Sequence, residues 1–205
     1  MFGDCHQLLA LPVARGGKRL QDMHTYSYPT RTPCETEWSS KSLTELVAYL
    51  NQRYRRPLQQ RLESIRSLFG QEASFEDDGR RADYERLANS FERLRGTLDE
   101  HAWLEDEVLC PAVARVEYCI GASDPRAREA LCMLVTTVAD EHRLIRTRIA
   151  ELECALASVT RCALSQEEAL LVADLEMLEL LLSEEMELED RCLWPRALTL
   201  LQPGP

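Results

Sequence analysis

The chain has 205 residues, is 45% hydrophobic and carries a net charge of −11 at neutral pH. That length suits one domain with a tail, and the apolar share is enough for a sizeable core. A surface of this sign excludes nonspecific binding to nucleic acid or to an anionic membrane, and no apolar run is long enough to cross a bilayer.

Eight cysteines are scattered along the chain (Cys5, Cys34, Cys110, Cys119, Cys132, Cys154, Cys162 and Cys192). The absence of any CxxC excludes zinc-ribbon and thioredoxin-type chemistry. Most fall in helical patterns, where a free cysteine acts as a small apolar residue. The N-terminus lacks the basic start and clean apolar stretch of a secretory leader. The compartment expected is therefore reducing and cytoplasmic.

Residues 1–40 hold Pro12, Gly16, Gly17, Pro29 and Pro33 with no sustained period, which predicts an irregular N-terminal arm. His6 and His24 lie there without ligand spacing. From Ser42 the pattern changes. Ser42 followed by Glu45 is a capping-box signature, and Leu43, Leu46, Val47, Leu50 and Tyr54 follow at helical steps. A first helix is predicted to about Phe69, with Pro57 as a kink. Residues 70–79 read as a loop. A second helix spans about Arg80 to Tyr118, interrupted near its end by Pro111. After a turn at Gly121 to Pro125, a third helix covers about Arg126 to Ala157. Ser165 and Glu168 cap a fourth helix that runs to about Leu200. Four amphipathic helices with short connections predict an all-α, up-down-up-down four-helix bundle over 41–200, with a tail at 201–205.

Residues 104–111 read Leu-Glu-Asp-Glu-Val-Leu-Cys-Pro, and residues 188–195 read Leu-Glu-Asp-Arg-Cys-Leu-Trp-Pro. His101 stands four residues before Glu105, and Glu185 four before Glu189. Side chains at i and i+4 share one helical face, so each copy projects two ligand-type groups from one stripe. The fourth helix also crowds Glu184, Glu185, Glu187, Glu189 and Asp190 into two turns. That many acids cover more than one face, so at least one must point inward, and the repeat selects Glu189. Extending the repeat upstream matches His142 in the third helix with Arg55 in the first. The internal candidates are His101, Glu105, His142, Glu185 and Glu189, with Arg55 in the sixth place. Imidazole with carboxylate suits iron, manganese or zinc. A buried guanidinium beside Glu105 and Glu189 is the other way to neutralise them.

His101-x-x-x-Glu105 followed by Leu109-Cys110-Pro111 resembles the hemerythrin-type HxxxE…LFP motif. Leu188 to Leu198 (Leu-Glu-Asp-Arg-Cys-Leu-Trp-Pro-Arg-Ala-Leu) resembles the C-terminal motif of the bacterial iron–sulfur cluster repair proteins, and Glu141-His142 resembles their mid-chain pair. Ser42 to Leu62 is similar to their first helix. The resemblance implies a hemerythrin-like bundle with a non-haem iron centre of one or two ions. It implies His101, His142, Glu105 and Glu189 as ligands, O2 or NO as small ligands, and iron–sulfur proteins as clients in nitrosative or oxidative stress. The sequence departs from that pattern at Arg55 and Glu185, where the family has histidine. Two other readings follow from those departures: a metal-free bundle serving regulation or interaction, and a carboxylate-rich di-metal oxidase or peroxidase.

Overall fold

The structure, a computed structural model, describes residues 38–70, 78–118, 125–161 and 164–200. Most of the N-terminal arm, including His6 and His24, lies outside these residues, as do most of the 70–79 loop, the 121–124 turn and the 201–205 tail.

Four helical rods form the bundle that the periodicity predicts. The first rod is α1 (Leu43–Leu50), a π turn at Asn51–Arg55, and α2 (Arg56–Gly70). The second is α3 (Asp78–Leu104), a π turn at Glu105–Leu109, and α4 (Cys110–Tyr118). The third is a single helix, α5 (Pro125–Val159). The fourth is α6 (Gln166–Leu188), a π turn at Glu189–Leu193, and α7 (Trp194–Leu200). The second rod packs along the third, and the first along the fourth.

Both capping boxes form. Ser42 accepts from the Glu45 amide and Glu45 from that of Ser42, and Ser165 and Glu168 make the same reciprocal pair. Such a cap is worth about 1 kcal/mol. Glu117, near the end of α4, binds the start of α1 as well. Its Oε1 accepts from the Leu43 amide at 2.6 Å, and its Oε2 accepts from the Thr44 amide at 3.0 Å and hydroxyl at 2.6 Å. A carboxylate at a helix N-terminus also complements the macrodipole. Inside the bundle Leu46, Leu50, Leu87, Phe91, Ile145 and Leu178 are fully enclosed.

The prolines act differently from the expectation that they end or kink their helices. Pro57, Pro111 and Pro195 each lie within a rod that continues as helix, and each follows a π turn. In each turn the closing amide reaches five residues back: Arg56 to the Asn51 carbonyl, Cys110 to Glu105, and Trp194 to Glu189. Proline lacks an amide and its ring clashes with the carbonyl four residues earlier. A turn with one extra residue is wider and relieves that clash. The third rod has no internal proline and no π turn.

The cysteines also divide. Cys110, Cys132 and Cys154 are free; Cys110 is half-buried, but Cys132 and Cys154 are exposed, so the reading of these cysteines as small packed apolar residues does not extend to them. Cys192, buried in the last π turn, is disulfide-bonded, so the free-thiol reading does not extend to it. Among the described residues no helix is long and apolar enough to cross a membrane.

Candidate metal centre

The three π turns meet at one level of the bundle. Arg55 is the last residue of the first turn, and Glu105 and Glu189 are the first residues of the other two. π turns concentrate at functional positions because the surplus residue re-aims a side chain. His101 comes from α3, His142 from α5 and Glu185 from α6. All six side chains lie in the interior: His142 and Glu189 are fully enclosed, and Arg55, the most exposed with His101, is only 7% accessible.

The six divide into two sets. His101, Glu105, His142 and Glu189 each offer a donor atom, and these atoms lie within 4.8 Å of one another. The two imidazole rings stand with centroids 5.0 Å apart. Glu185 is not among them. It accepts from Arg55 Nε at 3.2 Å, in the second set. Arg55 also places Nη2 at 2.7 Å from Glu105 Oε2 and 3.1 Å from Glu189 Oε1.

Both histidines are oriented from behind. His101 Nδ1 meets Glu141 Oε2 at 3.0 Å, and His142 Nδ1 meets Asp190 Oδ1 at 2.8 Å. A carboxylate on Nδ1 fixes the proton there and turns the Nε2 lone pair toward the centre. Arg146 holds the other Asp190 oxygen at 2.8 Å. Asp106 grips Arg55 Nη1 at 2.8 Å. The sequence reading passed over Glu141, Asp190 and Asp106 as orienting groups. Their signal was position: each is a chain neighbour of a proposed donor, yet reaches across to a side chain on another rod. The duplicated Leu-Glu-Asp explains two of them. In each copy the glutamate turns inward and the aspartate clamps the residue facing it, Arg55 in one half and His142 in the other.

Electrostatics follow from burial. Burial and the Glu189 charge push the Glu105 carboxyl well above the usual range, against the pull of Arg55. The same two effects raise Glu185 to about 8. Burial acts on Glu189 too, but its contacts with His142 and Arg55 outweigh it and keep the carboxylate ionised. His101 is lowered by burial and stays neutral. For His142, burial is outweighed by Asp190 and Glu189, which raise it to about 9. Burial also opposes charge on Arg55, but the surrounding carboxylates more than compensate and fix it as a cation. Cys110 Sγ lies 3.7 Å from Arg55, and burial keeps it a thiol.

Three enclosed polar atoms in this cluster make no hydrogen bond: Glu105 Oε1, His142 Nε2 and Glu189 Oε2. His142 Nε2 and Glu189 Oε2 stand 3.3 Å apart. Buried polar atoms are almost always paired, and each one left unpaired costs about 1–3 kcal/mol. The unshared Glu105 Oε1, with His142 Nε2 and Glu189 Oε2 held within ion-pair distance of each other but out of hydrogen-bond geometry, fits a cation between these side chains. A cavity of about 70 Å³ reaches the cluster between the first, second and fourth rods, with Ile145 of the third rod also lining it. Leu58, Leu62, Leu98, Leu182 and Met186 wall it, and Arg55, His101, Glu105 and Glu185 form its polar end.

Residues 59–197 match the family model of the hemerythrin HHE cation-binding domain. The chain belongs to the hemerythrin HHE family. The match takes in all four clustered donors and begins after Arg55. Comparison with curated proteins and with solved structures found no match. For a hemerythrin-type domain the fold is the expected all-α bundle, and cation binding is the property that the family's description carries.

Proposed function

We propose that this hemerythrin-type domain binds iron through His101, Glu105, His142 and Glu189. The observation that carries the reading is the set of unpaired donor atoms on Glu105, His142 and Glu189, with His101 oriented toward them. Two imidazoles with two carboxylates make a hard-to-borderline donor set that suits ferrous or ferric iron and excludes thiolate-seeking metals. Bound iron would supply redox and small-molecule chemistry. The chain's own residues set its conditions. Glu141 and Asp190 hold the histidine tautomers, Arg55 adds a fixed positive charge, and the apolar cavity admits small ligands such as O2 or NO while limiting water.

The likeness of Leu188–Leu198 to the cluster repair proteins supports extending this reading to iron handling for damaged iron–sulfur proteins. A second reading is supported by Arg55 itself, whose ion pairs with Glu105, Glu185 and Glu189 would help balance a metal-free bundle. The oxidase alternative relied on Glu185 as a donor, and Glu185 is engaged with Arg55.

Iron analysis of the full chain from iron-supplied cells separates the first two. Bound iron that His101→Ala and His142→Ala abolish supports the centre; iron near zero in the wild type supports the metal-free bundle. Repair is tested by incubating the loaded protein with a damaged [4Fe–4S] enzyme. Reactivation no better than with free ferrous iron rejects that extension.

A further inference from the structure

The duplicated segments make the two halves of the bundle comparable position by position. Glu105 corresponds to Glu189, Asp106 to Asp190, His101 to Glu185, and Arg55 to His142. On one side of the two glutamates the corresponding places hold His101 and His142, whose ring nitrogens converge with the glutamate oxygens; His142 Nε2 makes no hydrogen bond, and His101 Nε2 stands 3.5 Å from Glu105 Oε2. On the other side the same two places hold Glu185 and Arg55, which bond each other at 3.2 Å. Glu189 straddles the division. Its Oε1 accepts from Arg55 Nη2 at 3.1 Å, and its Oε2 faces His142 Nε2 at 3.3 Å.

We propose that the centre takes a single divalent cation on the histidine side, and that the Arg55–Glu185 pair permanently fills the equivalent second place. The inference rests on the cation-binding reading above and fixes its stoichiometry.

Charge supports it independently of shape. Glu105, Glu185 and Glu189 are almost wholly enclosed, with side-chain exposures of 2%, 7% and 0%. Ionised, they bring three negative charges. An imidazole that ligates a metal does so as the neutral ring, so with an ion bound the two histidines add no charge; the guanidinium returns one and a divalent ion two, and the interior balances. A second divalent ion beside Arg55 would leave two uncompensated positive charges, and each buried unpaired ion costs several kcal/mol. Asp106, Glu141 and Asp190 sit at the wetter rim, with side-chain exposures of 47%, 26% and 32%, and contribute less to that sum. Arginine suits the role because its planar fork contacts several carboxylates at once and does not lose its proton. Unlike a bound ion, it can be neither chelated nor oxidised.

The test counts ions. The full chain is stripped with chelator and titrated anaerobically with ferrous iron, and separately with Mn(II). Elemental analysis gives the count, and electron paramagnetic resonance distinguishes isolated Mn(II) from an exchange-coupled pair. One ion per chain with an isolated signal is expected. Two ions per chain, or a coupled signal, overturns the inference and leaves cation binding standing; no ion overturns both. In Arg55→His a neutral donor replaces the fixed charge, and the count should rise to two. A folded variant still at one would show that Arg55 is not what excludes the second ion. The wild-type count decides the matter if that variant does not fold.

Discussion

Replacing Arg55 with glutamine in metal-free protein removes the only guanidinium that contacts the three enclosed carboxylates among the described residues. Its ion pairs run from 2.7 Å to Glu105 through 3.1 Å to Glu189 and 3.2 Å to Glu185. Removing one partner of a buried pair costs about 3–5 kcal/mol; the charge left behind here is chiefly that of Glu189, the carboxylate that stays ionised, while Glu105 and Glu185 lose the cation beside them. For a domain of this size each kcal/mol moves the thermal midpoint by roughly 2–4 °C. The midpoint of Arg55→Gln should therefore fall by about 6–20 °C in chelator, with an unchanged urea m-value. The control is Arg61→Gln. Arg61 pairs with Asp174 where both side chains are partly exposed (30% and 25%), and its loss should cost about 1 kcal/mol or less. Divalent cation at a hundredfold excess over its dissociation constant should return about 2.7 kcal/mol to any variant that binds it. A metal-free Arg55→Gln protein within about 1 kcal/mol of wild type would refute the argument, since the carboxylates would then be satisfied without the guanidinium.

Asp190→Asn and Glu141→Gln should each weaken cation binding by about 10- to 100-fold, read by competition with a chromophoric chelator, because the histidine on the opposite rod loses its orienting acceptor. Stability of the chelated protein should also decline with rising pH, partly through Glu179. Burial and a hydrogen bond with Glu153 raise its carboxyl to about 7. Below the unfolded-state value near 4.5 both states hold the proton. Between there and 7 only the folded state keeps it, so stability falls, and above 7 the loss is complete. With the pair partly solvated that loss is about 1–2 kcal/mol, and urea titrations of Glu179→Gln should show a flatter pH profile. Phe91→Ala, at a fully enclosed core position, should cost about 3–5 kcal/mol without changing how many ions the remaining folded protein binds.

Much of the fold was legible because its signals are local. Ser42 with Glu45 and Ser165 with Glu168 announce helix starts within four residues, and both capping boxes form. The 3.6-residue apolar period supplied the rods. The grouping of Arg55, His101, Glu105, His142, Glu185 and Glu189 was legible from the repeat, since duplicated segments in a bundle tend to face the same interior. Their division into donors and an ion pair was not. Whether Glu185 serves an ion or Arg55 depends on a contact between rods 130 positions apart in the chain. Glu141 and Asp190 were hidden for the same reason: each lies beside one proposed donor and serves another. The prolines were read as breaks because proline is costly within an α-helix, and that rule does not anticipate a wider turn absorbing it. The disulfide of Cys192 left no mark in a chain without CxxC spacing.

The three π turns carry a consequence for how the site is built. Each is an α-helix with a surplus residue, and each sits where Arg55, Glu105 or Glu189 is displayed. Deleting one residue from such a turn would wind the rod's far portion back by about 100° relative to the near portion. The rod would remain helical, but its charged group would point elsewhere. Three rods thus owe their aim to a local phase slip, whereas α5 has none. His142 is the unshifted reference to which the other three are indexed, so rods of unchanged composition could lose the centre through a one-residue length polymorphism alone.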